Sequence, residues 1–407
     1  MKVEVVKYRP EWAEEFEREA EKIKEILGEN LLAIHHIGST AVAGLAAKPI
    51  IDILPVVKDI RKAEEQNAAF EALGYECMGE FGIAGRRYFR KGREKRTHHL
   101  HLFEEANEAD VSRHLAVRDY LRRHKDKADE YGALKESLAV RFPADLESYC
   151  NGKDEFVKEM EKEAVKEFRA LAYFSRDKNL YVDMSEYVQK GASQILWAAE
   201  NGVLLYEKSS GIHMFAAEEK ESACAILKAL DEKKWKERSG LLVAHGETAR
   251  EAAYETLHLK GETVCYQVSY TEKSVVERKC GLEFRLPLRE QIEIIKREYH
   301  LESPENIEKL CAAGKIFCAF LKQDRGEAFV GFIGRHPEGS MGLLLVFPEY
   351  RRRGYGAELE SFMIEKILGE GRIPYAHIIE DNFNSLSLQR KLGCEAAEEK
   401  VYWLFAN

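Results

Sequence analysis

Three consecutive arginines directly precede a Gly-Tyr-Gly sequence in VFPEYRRRGYGAELE, near the carboxyl end of the chain. The residues concerned are Arg351, Arg352, Arg353, Gly354, Tyr355, Gly356 and Ala357. The segment lies between an apolar strand predicted at 341–347 and an amphipathic helix predicted at 356–368. Free amides at a helix N-terminus attract anions, and glycine lets a backbone approach a ligand closely. This chemistry suits either a patch for nucleic acid or a loop that holds phosphates.

A second group of reactive side chains occurs in HHIGSTAVAGLAAKPIIDILPVV (35–57) and THHLHLFE (97–104). A Gly-Ser-Thr turn precedes a short strand that carries Asp52, while His99 and His101 share one face of a later strand. We expect these side chains to converge. One carboxylate with two imidazoles suits Zn²⁺ or Mn²⁺ better than Mg²⁺. A hydrogen-bonded structural His–Asp cluster is an equally good interpretation.

The predicted ligand site around this turn also includes two cations. Its residues are Gly38, Ser39, Thr40, Lys48, Asp52 and Arg96. Seven of the eleven residues from 86 to 96 are Lys or Arg, which predicts either a positive rim for an anion or a solvated hairpin.

The composition restricts the class of protein. The chain has 407 residues, 45% of them hydrophobic and 33% charged, which favours a soluble globular protein of two or three domains. A net charge of −9 argues against general nucleic-acid binding, so the phosphate interpretation of the arginines is preferred. The eight cysteines form no C-x-x-C pair, and no apolar run approaches membrane-spanning length. We therefore expect a cytoplasmic location and no membrane contact.

Periodicity predicts the elements that hold these motifs. Apolar residues at spacings of three and four predict a helix at 11–27, and PIIDILPVV (49–57) predicts a buried strand. Residues 88–103 read as a hairpin with the turn KGREK, and 111–141 and 153–173 read as helices. The polar sequence SRDKN (175–179) is a predicted linker. The predicted domains are 1–172, 177–285 and 286–407, and the last two have similar element types that suggest a duplication.

The carboxyl-terminal motifs resemble the GNAT acetyltransferase superfamily. The arginine loop is followed by a strand at 375–380 and by DNFNSLSLQRKLGC (381–394), the order and spacing found in that family. The resemblance covers about 290–407, and the middle block resembles the divergent amino-terminal half of two-part members. It implies acetyl-CoA as cosubstrate. The implied cofactor-binding residues are Leu345, Val346, Arg351, Arg352, Arg353, Gly354, Tyr355, Gly356, Ala357, Asn384 and Ser385.

The catalytic residues of this region are not defined by the motifs. Many GNAT members carry a tyrosine four residues beyond the position of Ser385, and this chain has Gln389 there. Alternative acids are Tyr355, Tyr375 and Tyr402. Candidate bases near strand ends are His336, Glu338 and Glu380, each of which also reads as a solvated surface residue.

The amino-terminal motifs resemble the GrpB family, a nucleotidyltransferase-like group. The similarity continues through RDYLRRHKDKADEYGALK (118–135) and YCNGKDEFV (149–157) and spans nearly all of 1–165. It implies a fold and a pocket for a nucleotide or another phosphate-bearing ligand, with a divalent metal as an option. Active nucleotidyltransferases usually carry two acids at i and i+2, whereas Asp52 is followed by Leu54.

Together these features predict an α/β (α+β) protein with a nucleotidyltransferase-like domain followed by a GNAT-like mixed-sheet region, which could comprise two GNAT-type halves. The predicted function is transfer of an acetyl group from acetyl-CoA to an amine of a small molecule or protein. The alternatives are a metal-dependent nucleotidyltransferase in the amino-terminal domain and a non-catalytic acetyl-CoA or nucleotide sensor. No nucleic-acid partner is expected.

Overall fold

The computed structural model describes residues 3–228, 230, 232–272, 280–324 and 326–406. Its contacts divide the chain into two compact units, Met1–Phe168 (unit 1) and Arg169–Asn407 (unit 2). The boundary falls inside a helix, ahead of the linker predicted at 175–179. The further division at 285 stays a prediction. Within the described ranges, no helix is both long enough and apolar enough to cross a membrane.

Unit 1 contains six helices and five strands among its described residues. The helices are α1 Glu11–Leu27, α2 Ile60–Glu64, α3 Asn67–Ala72, α4 Glu108–Arg123, α5 Lys125–Arg141 and α6 Leu146–Phe174, which continues into unit 2. The strands are β1 Leu31–Ile37, β2 Ile51–Val57, β3 Tyr75–Cys77, β4 Arg87–Lys91 and β5 His98–Glu104. The helix predicted at 11–27 and the hairpin predicted at 88–103 are thus confirmed.

The sheet of unit 1 has the order β1-β2-β5-β4-β3, with β2 and β5 parallel. The apolar face of α1 covers this sheet, where Trp12 and Ile23 are fully buried. The β2–β5 register places Asp52 beside His99. Because side chains alternate along a strand, His101 returns to the same face as His99. The sheet therefore brings together the three side chains that the sequence predicts to converge.

Unit 2 begins within α6 and contains eight further helices and eleven strands in its described part. The helices are α7 Val182–Gln189, α8 Lys220–Lys228, α9 Glu232–Arg238, α10 Glu247–Thr256, α11 Arg289–Glu298, α12 Pro304–Ala312, α13 Tyr355–Gly369 and α14 Phe383–Lys391. The strands are β6 Ser193–Ala199, β7 Gly202–Glu207, β8 His213–Ala217, β9 Leu241–His245, β10 Gly261–Ser269, β11 Glu283–Arg285, β12 Ile316–Gln323, β13 Gly326–Arg335, β14 Met341–Val346, β15 Tyr375–Ile379 and β16 Glu395–Phe405.

Two sheets form unit 2, and one of them mixes strands from distant parts of the chain. The seven-stranded sheet has the order β15-β10-β16-β9-β8-β7-β6, and the four-stranded sheet has the order β11-β12-β13-β14. Strand β16 therefore lies between β10 and β9, which precede it by more than a hundred residues in the sequence. The predicted segments 177–285 and 286–407 thus share one sheet.

A polar network lies inside the seven-stranded sheet. The carboxylate of Asp183 on α7 accepts hydrogen bonds from His245 Nε2 and Gln267 Nε2, each at 2.9 Å. His377 Nε2 lies 3.4 Å from the same carboxylate, and Trp403 Nε1 donates to His377 Nδ1. Asp183, His245 and Gln267 are at most 1% exposed. The network joins helix α7 to strands β9, β10 and β15, because each of these four elements contributes one side chain to it.

Candidate functional site

The arginine loop lies between an edge strand and a helix N-terminus, as the sequence predicts. Strand β14 is the last strand of its sheet, so one edge of its backbone has no partner strand in the described part of the chain. Leu343 has a φ of 47° and lies where the β13–β14 register shifts, which marks a β-bulge. Leu345 and Val346 follow this bulge toward the loop. The described backbone can therefore pair with an extended ligand.

The turn before α13 has the backbone of an anion-binding loop. Gly354 adopts a φ of 87°, and Arg352 has a φ of 60°, which is strained for a residue with a side chain. The first amides of α13, from Tyr355 to Ala357, have no intrahelical acceptor. A Cβ at Gly356 would meet only Leu388 and Val346 at ordinary contact distances. The helix dipole favours a negative charge at this end of α13.

The three arginines are exposed and form no ion pair with any described residue. Arg351 Nε donates to Val346 O (3.0 Å), and Arg353 Nη2 donates to Glu349 O (3.0 Å). These bonds to carbonyls orient the side chains without neutralising them. Asn384 and Ser385 lie in the first turn of α14, and Asn384 is exposed. The loop therefore presents positive charge that no protein carboxylate balances in the described structure.

The acids and bases suggested by the sequence find other partners. Tyr375 is 1% exposed, and its hydroxyl donates to Glu338 O (2.5 Å). Burial raises its pKa well above the usual value. Tyr402 donates to Glu247 Oε2 (2.6 Å), and burial together with this contact raises its pKa as well. Lys400 binds Glu380 at the surface. These contacts oppose catalytic roles for Tyr375, Tyr402 and Glu380.

Gln389 lies in a small buried polar cluster between α13 and the strand that follows α14. It is 1% exposed, and Cys394 Sγ donates to its Oε1 (3.0 Å). Glu360 on α13 lies beside it, and burial raises the pKa of Glu360 to about 7. The position of the family tyrosine is thus filled by an amide that bonds inside the protein.

His336 is paired rather than solvated. Its Nδ1 lies 3.3 Å from Glu302 Oε1, and its ring packs against Gly342 of β14. Burial opposes protonation of His336, but the Glu302 hydrogen bond and the charge of Glu338 outweigh it and raise the pKa. A raised pKa means that a larger fraction of His336 is protonated near neutral pH, so less of it is in the neutral form that can accept a proton.

The Gly-Ser-Thr turn of unit 1 packs directly on Asp52. Gly38 has a φ of 70°, and a Cβ there would lie 2.6 Å from Asp52 Oδ2. Glycine is therefore required both for the turn and for the close approach to the carboxylate. Thr40 Oγ1 lies within hydrogen-bond distance of His36 Nε2 (3.0 Å), and the Arg122 guanidinium on α4 donates to Ala41 O.

Asp52 is flanked by both predicted imidazoles. Its Oδ1 lies 3.2 Å from His99 Nδ1 and 3.6 Å from His101 Nε2. Burial opposes ionisation of Asp52, but the contacts with His101 and His99 outweigh burial and hold its pKa well below the usual range. These three residues offer ligand atoms within 4.8 Å of one another. The ligand atoms of a tetrahedral Zn²⁺ ion lie about 2.1 Å from the metal and therefore about 3.4 Å from one another. The two distances from Asp52 Oδ1 are close to that value, so the spacing suits such an ion.

Arg86 favours the hydrogen-bonded form of this cluster over the metal site. Its Nη1 lies 3.4 Å from His101 Nδ1, and a guanidinium can only donate. His101 Nδ1 then accepts, so the proton of the neutral ring is on Nε2 and faces Asp52. A metal ion at Nε2 needs the opposite tautomer. Arg86 is 6% exposed, and the sequence offers no sign that it turns inward.

The other cations of the basic hairpin are only partly available. Arg87 pairs with Glu64, Arg90 with Glu76, and Lys91 with Glu19. A positive rim of seven cations is therefore wrong, because three of them are neutralised by neighbouring carboxylates. Arg96 and Lys48 have no ion pair with a described residue and line a cleft of about 990 Å³ between α1 and the hairpin.

Lys135 belongs to the site, although it was not predicted. It lies on α5 within the motif RDYLRRHKDKADEYGALK, and its Nζ donates to Ser39 Oγ (2.8 Å). Only 3% of Lys135 is exposed. The signal in the sequence was the position of a lysine on the apolar face of a helix, at i+4 from Tyr131.

Unit 1 is similar in sequence to proteins of the GrpB family. The family model described as GrpB protein matches residues 2–163. The UPF0157 protein YqkA of Bacillus subtilis is 48% identical over 163 residues, which are 40% of this chain and 47% of YqkA. The crystal structure of the conserved protein GrpB from Enterococcus faecalis is 50% identical and covers 40% of this chain and 99% of that chain, with a TM-score of 0.40. The glutamate-rich protein GrpB of Alkalihalophilus pseudofirmus is 34% identical over 161 residues, which are 38% of this chain and 92% of that protein, so the chain belongs to the GrpB family. The matched part spans about half the length of YqkA.

A second family matches the carboxyl-terminal part. The family model described as FR47-like protein, a domain of GNAT type, matches residues 320–404. An acetyltransferase from the GNAT family of Colwellia psychrerythraea is 10% identical and covers 58% of this chain and 97% of that chain, with a TM-score of 0.34. The predicted resemblances to GrpB and GNAT proteins are confirmed, and the mixed α/β fold class with them.

Proposed function

We propose that the protein transfers an acetyl group from acetyl-CoA to an amine. The observation that carries the proposal is the loop of three arginines at the N-terminus of α13, which form no ion pair with any described residue and lie next to an edge of β14 that no described strand covers. Phosphates of coenzyme A fit the loop amides and arginines, and the pantetheine arm fits the strand edge. A GNAT-type domain match over the same residues supports this assignment.

Acetyl transfer from the thioester to an amine requires mainly that the protein hold the two reactants in the correct relative position. The amine nitrogen attacks the thioester carbonyl, so a C–N bond forms, the C–S bond breaks and its electron pair leaves with sulfur. A backbone N–H near Leu345 or Val346 would stabilise the oxyanion. A thiol has a pKa of about 8.5, so its thiolate leaves near neutral pH without a strong acid, which fits the amide at Gln389. The amine must arrive neutral or lose its proton to solvent.

Two measurements test this function. We expect wild-type protein to bind acetyl-CoA with micromolar affinity in calorimetry and to release free thiol continuously with at least one member of a panel of small-molecule and peptide amines. Binding without thiol release over the whole panel would support the sensor alternative. Absence of acetyl-CoA binding by a folded protein would overturn the proposal. The acceptor and the cytoplasmic location stay predictions.

A second candidate function concerns unit 1. The cleft lined by Lys48 and Arg96 and the turn packed on Asp52 favour binding of a phosphate-bearing small molecule. A metal-dependent nucleotidyltransferase is the stronger form of this candidate, and Asp52, His99 and His101 would hold its ion. Transfer of label from ATP in the presence of Mn²⁺, lost in Asp52→Ala, would support that form. If no label is transferred with any nucleotide and metal, nucleotidyltransferase activity is excluded and only the binding of a phosphate-bearing molecule remains as the candidate function.

Replacement of Arg86 tests the tautomer argument. We expect Arg86→Met to strengthen Zn²⁺ binding about tenfold, because His101 Nδ1 can then carry the proton and a nearby cation is lost. Competition with a colorimetric chelator measures the affinity, and Asp52→Asn in both backgrounds identifies the site. Arg86 also donates to Phe81 O, so thermal unfolding must show that Arg86→Met is folded. Unchanged Zn²⁺ affinity would contradict the assigned tautomer.

A further inference from the structure

Lys135 is a buried cation for which the described structure contains no counter-ion. Its Nζ donates to Ser39 Oγ (2.8 Å) and lies 4.3 Å from the centre of the Tyr131 ring. No carboxylate of a described residue lies within ion-pair distance of it. Burying an ammonium group without a partner is unfavourable, so such groups are normally paired or neutral. Ser39 itself is half-buried, which leaves the hydroxyl within reach of a ligand.

Two further lysines lie near Lys135. Lys48 lies 4.3 Å from the centre of the Tyr149 ring, and Lys153 projects from α6. Neither forms an ion pair with a described residue. Both lie close enough to Lys135 for their charges to disfavour its protonation. The cations thus come from three separate segments: the loop before β2, α5 and α6.

Asp52 does not balance this charge. Its charge favours protonation of Lys135, but it lies beyond ion-pair distance of Nζ, and His99 and His101 already contact its Oδ1. Burial, with smaller contributions from Lys153 and Lys48, lowers the pKa of Lys135 to about 7, while Glu136 and Asp52 act in the opposite direction. The opposing carboxylates are too weak to keep Lys135 a normal lysine. No described carboxylate therefore lies within ion-pair distance of Lys135 Nζ, although Asp52 packs against Gly38 beside Ser39.

We propose that Lys135, Lys48 and Lys153, together with the Ser39 hydroxyl, form an anion subsite that binds a phosphate group of the ligand of unit 1. The inference rests on the proposal that unit 1 binds a phosphate-bearing small molecule, and it assigns the residues that hold the phosphate. A tetrahedral phosphate offers several acceptor oxygens in different directions, which suits donors from three segments better than a planar carboxylate does.

Phosphate binding is linked to protonation of Lys135. A bound anion favours the charged ammonium and raises the pKa of Lys135. At pH 8, about one unit above a pKa of about 7, the free amine is about nine-tenths neutral, so binding takes up close to one proton. At pH 6 the amine is already charged, and binding takes up almost none. An arginine at this position is always protonated and cannot show this effect.

The experiment measures pyrophosphate binding to the full chain by calorimetry in two buffers of different ionisation enthalpy. All proteins carry Gly356→Asp, which blocks the carboxyl-terminal loop as a second anion site. We expect Lys135→Met to weaken binding at least tenfold, while Lys135→Arg retains binding and takes up about one proton fewer at pH 8. The titration of pyrophosphate itself cancels in this difference. Lys125→Met at the start of the same helix is the matched control, since Lys125 is exposed and its ion pair in the described structure is with Asp129.

The outcomes separate the inference from the proposals beneath it. Equal affinity of wild type and Lys135→Met, with no difference in proton uptake, would overturn the subsite. If pyrophosphate binding is unchanged in Lys135→Met but lost in Arg96→Ala, the proposed ligand site of unit 1 is supported and only the role of Lys135 is contradicted. No binding of pyrophosphate by wild type would overturn both, without touching the acetyltransferase proposal. Equal binding of acetate and pyrophosphate would overturn the assignment of a phosphate.

Discussion

Gly356→Asp is expected to weaken acetyl-CoA binding at least about 100-fold. The carboxylate would stand in the first turn of α13, where the pyrophosphate is proposed to lie. Two like charges about 4 Å apart near a protein surface repel by about 4 kcal/mol, and about 1.4 kcal/mol corresponds to tenfold in affinity. Calorimetry with acetyl-CoA measures the change. Arg351→Ala is expected to cost about tenfold, because it removes a single charge-assisted contact.

Two substitutions separate charge from shape and position. Gly356→Ala adds a Cβ that meets its neighbours at 3.7 Å or more, so it should fold and bind nearly normally. Gly369→Asp places the same charge at the far end of the same helix, where a Cβ meets nothing within 4 Å. If Gly369→Asp weakened acetyl-CoA binding as much as Gly356→Asp, the loop would not be the phosphate site.

Asp183→Ala is expected to destabilise unit 2 by about 3–5 kcal/mol. His245 Nε2 and Gln267 Nε2 both donate to this buried carboxylate, and His245 Nδ1 faces Phe215 O. Removing Asp183 leaves these buried donors without their acceptor, a change known to cost several kcal/mol.

Hydrogen exchange during urea unfolding measures this effect for each unit separately. Peptides from β9, β10 and β15 should lose protection at lower urea in Asp183→Ala, with peptides from β2 and β5 as the internal reference. Asp324→Ala, at an exposed position, is the control substitution. Loss of less than about 1 kcal/mol would show that the network does not stabilise unit 2.

The same network predicts how stability depends on acid. Burial opposes ionisation of Asp183, but His245 and His377 outweigh it and lower its pKa. A carboxyl with a lowered folded pKa stabilises the protein above its unfolded pKa of about 3.9 and loses that contribution as the pH falls further. The stability difference between wild type and Asp183→Asn should therefore shrink below about pH 4.

Local patterns predicted the elements that carry both candidate sites. Alternation along the strands placed Asp52 and the two histidines on one face, and the glycine spacing placed the arginines before a helix. These inferences succeeded because they depend on neighbours within a few residues. The match of the helix at 11–27 follows from the same kind of local periodicity.

The residues that were missed depend on contacts between distant segments. Arg86 turns inward to His101, and Lys135 reaches Ser39 across 96 positions of sequence. Nothing in a run of basic residues shows which of them is buried, because packing decides it. The partners of Tyr375 and Tyr402 are likewise set by tertiary contacts, so their residue type alone suggested chemistry that their surroundings oppose.

The position of β16 determines when unit 2 can finish folding during synthesis. Strands β9 and β10 are joined only through β16, whose residues are the last of the sheet to be translated. Until those residues leave the ribosome, β9 and β10 each present an unpaired edge to solvent. The sheet of unit 1, in contrast, has all its strands by Glu104. We expect the nascent chain to carry a folded first unit and an aggregation-prone second unit, so that chaperones engage the latter late in translation.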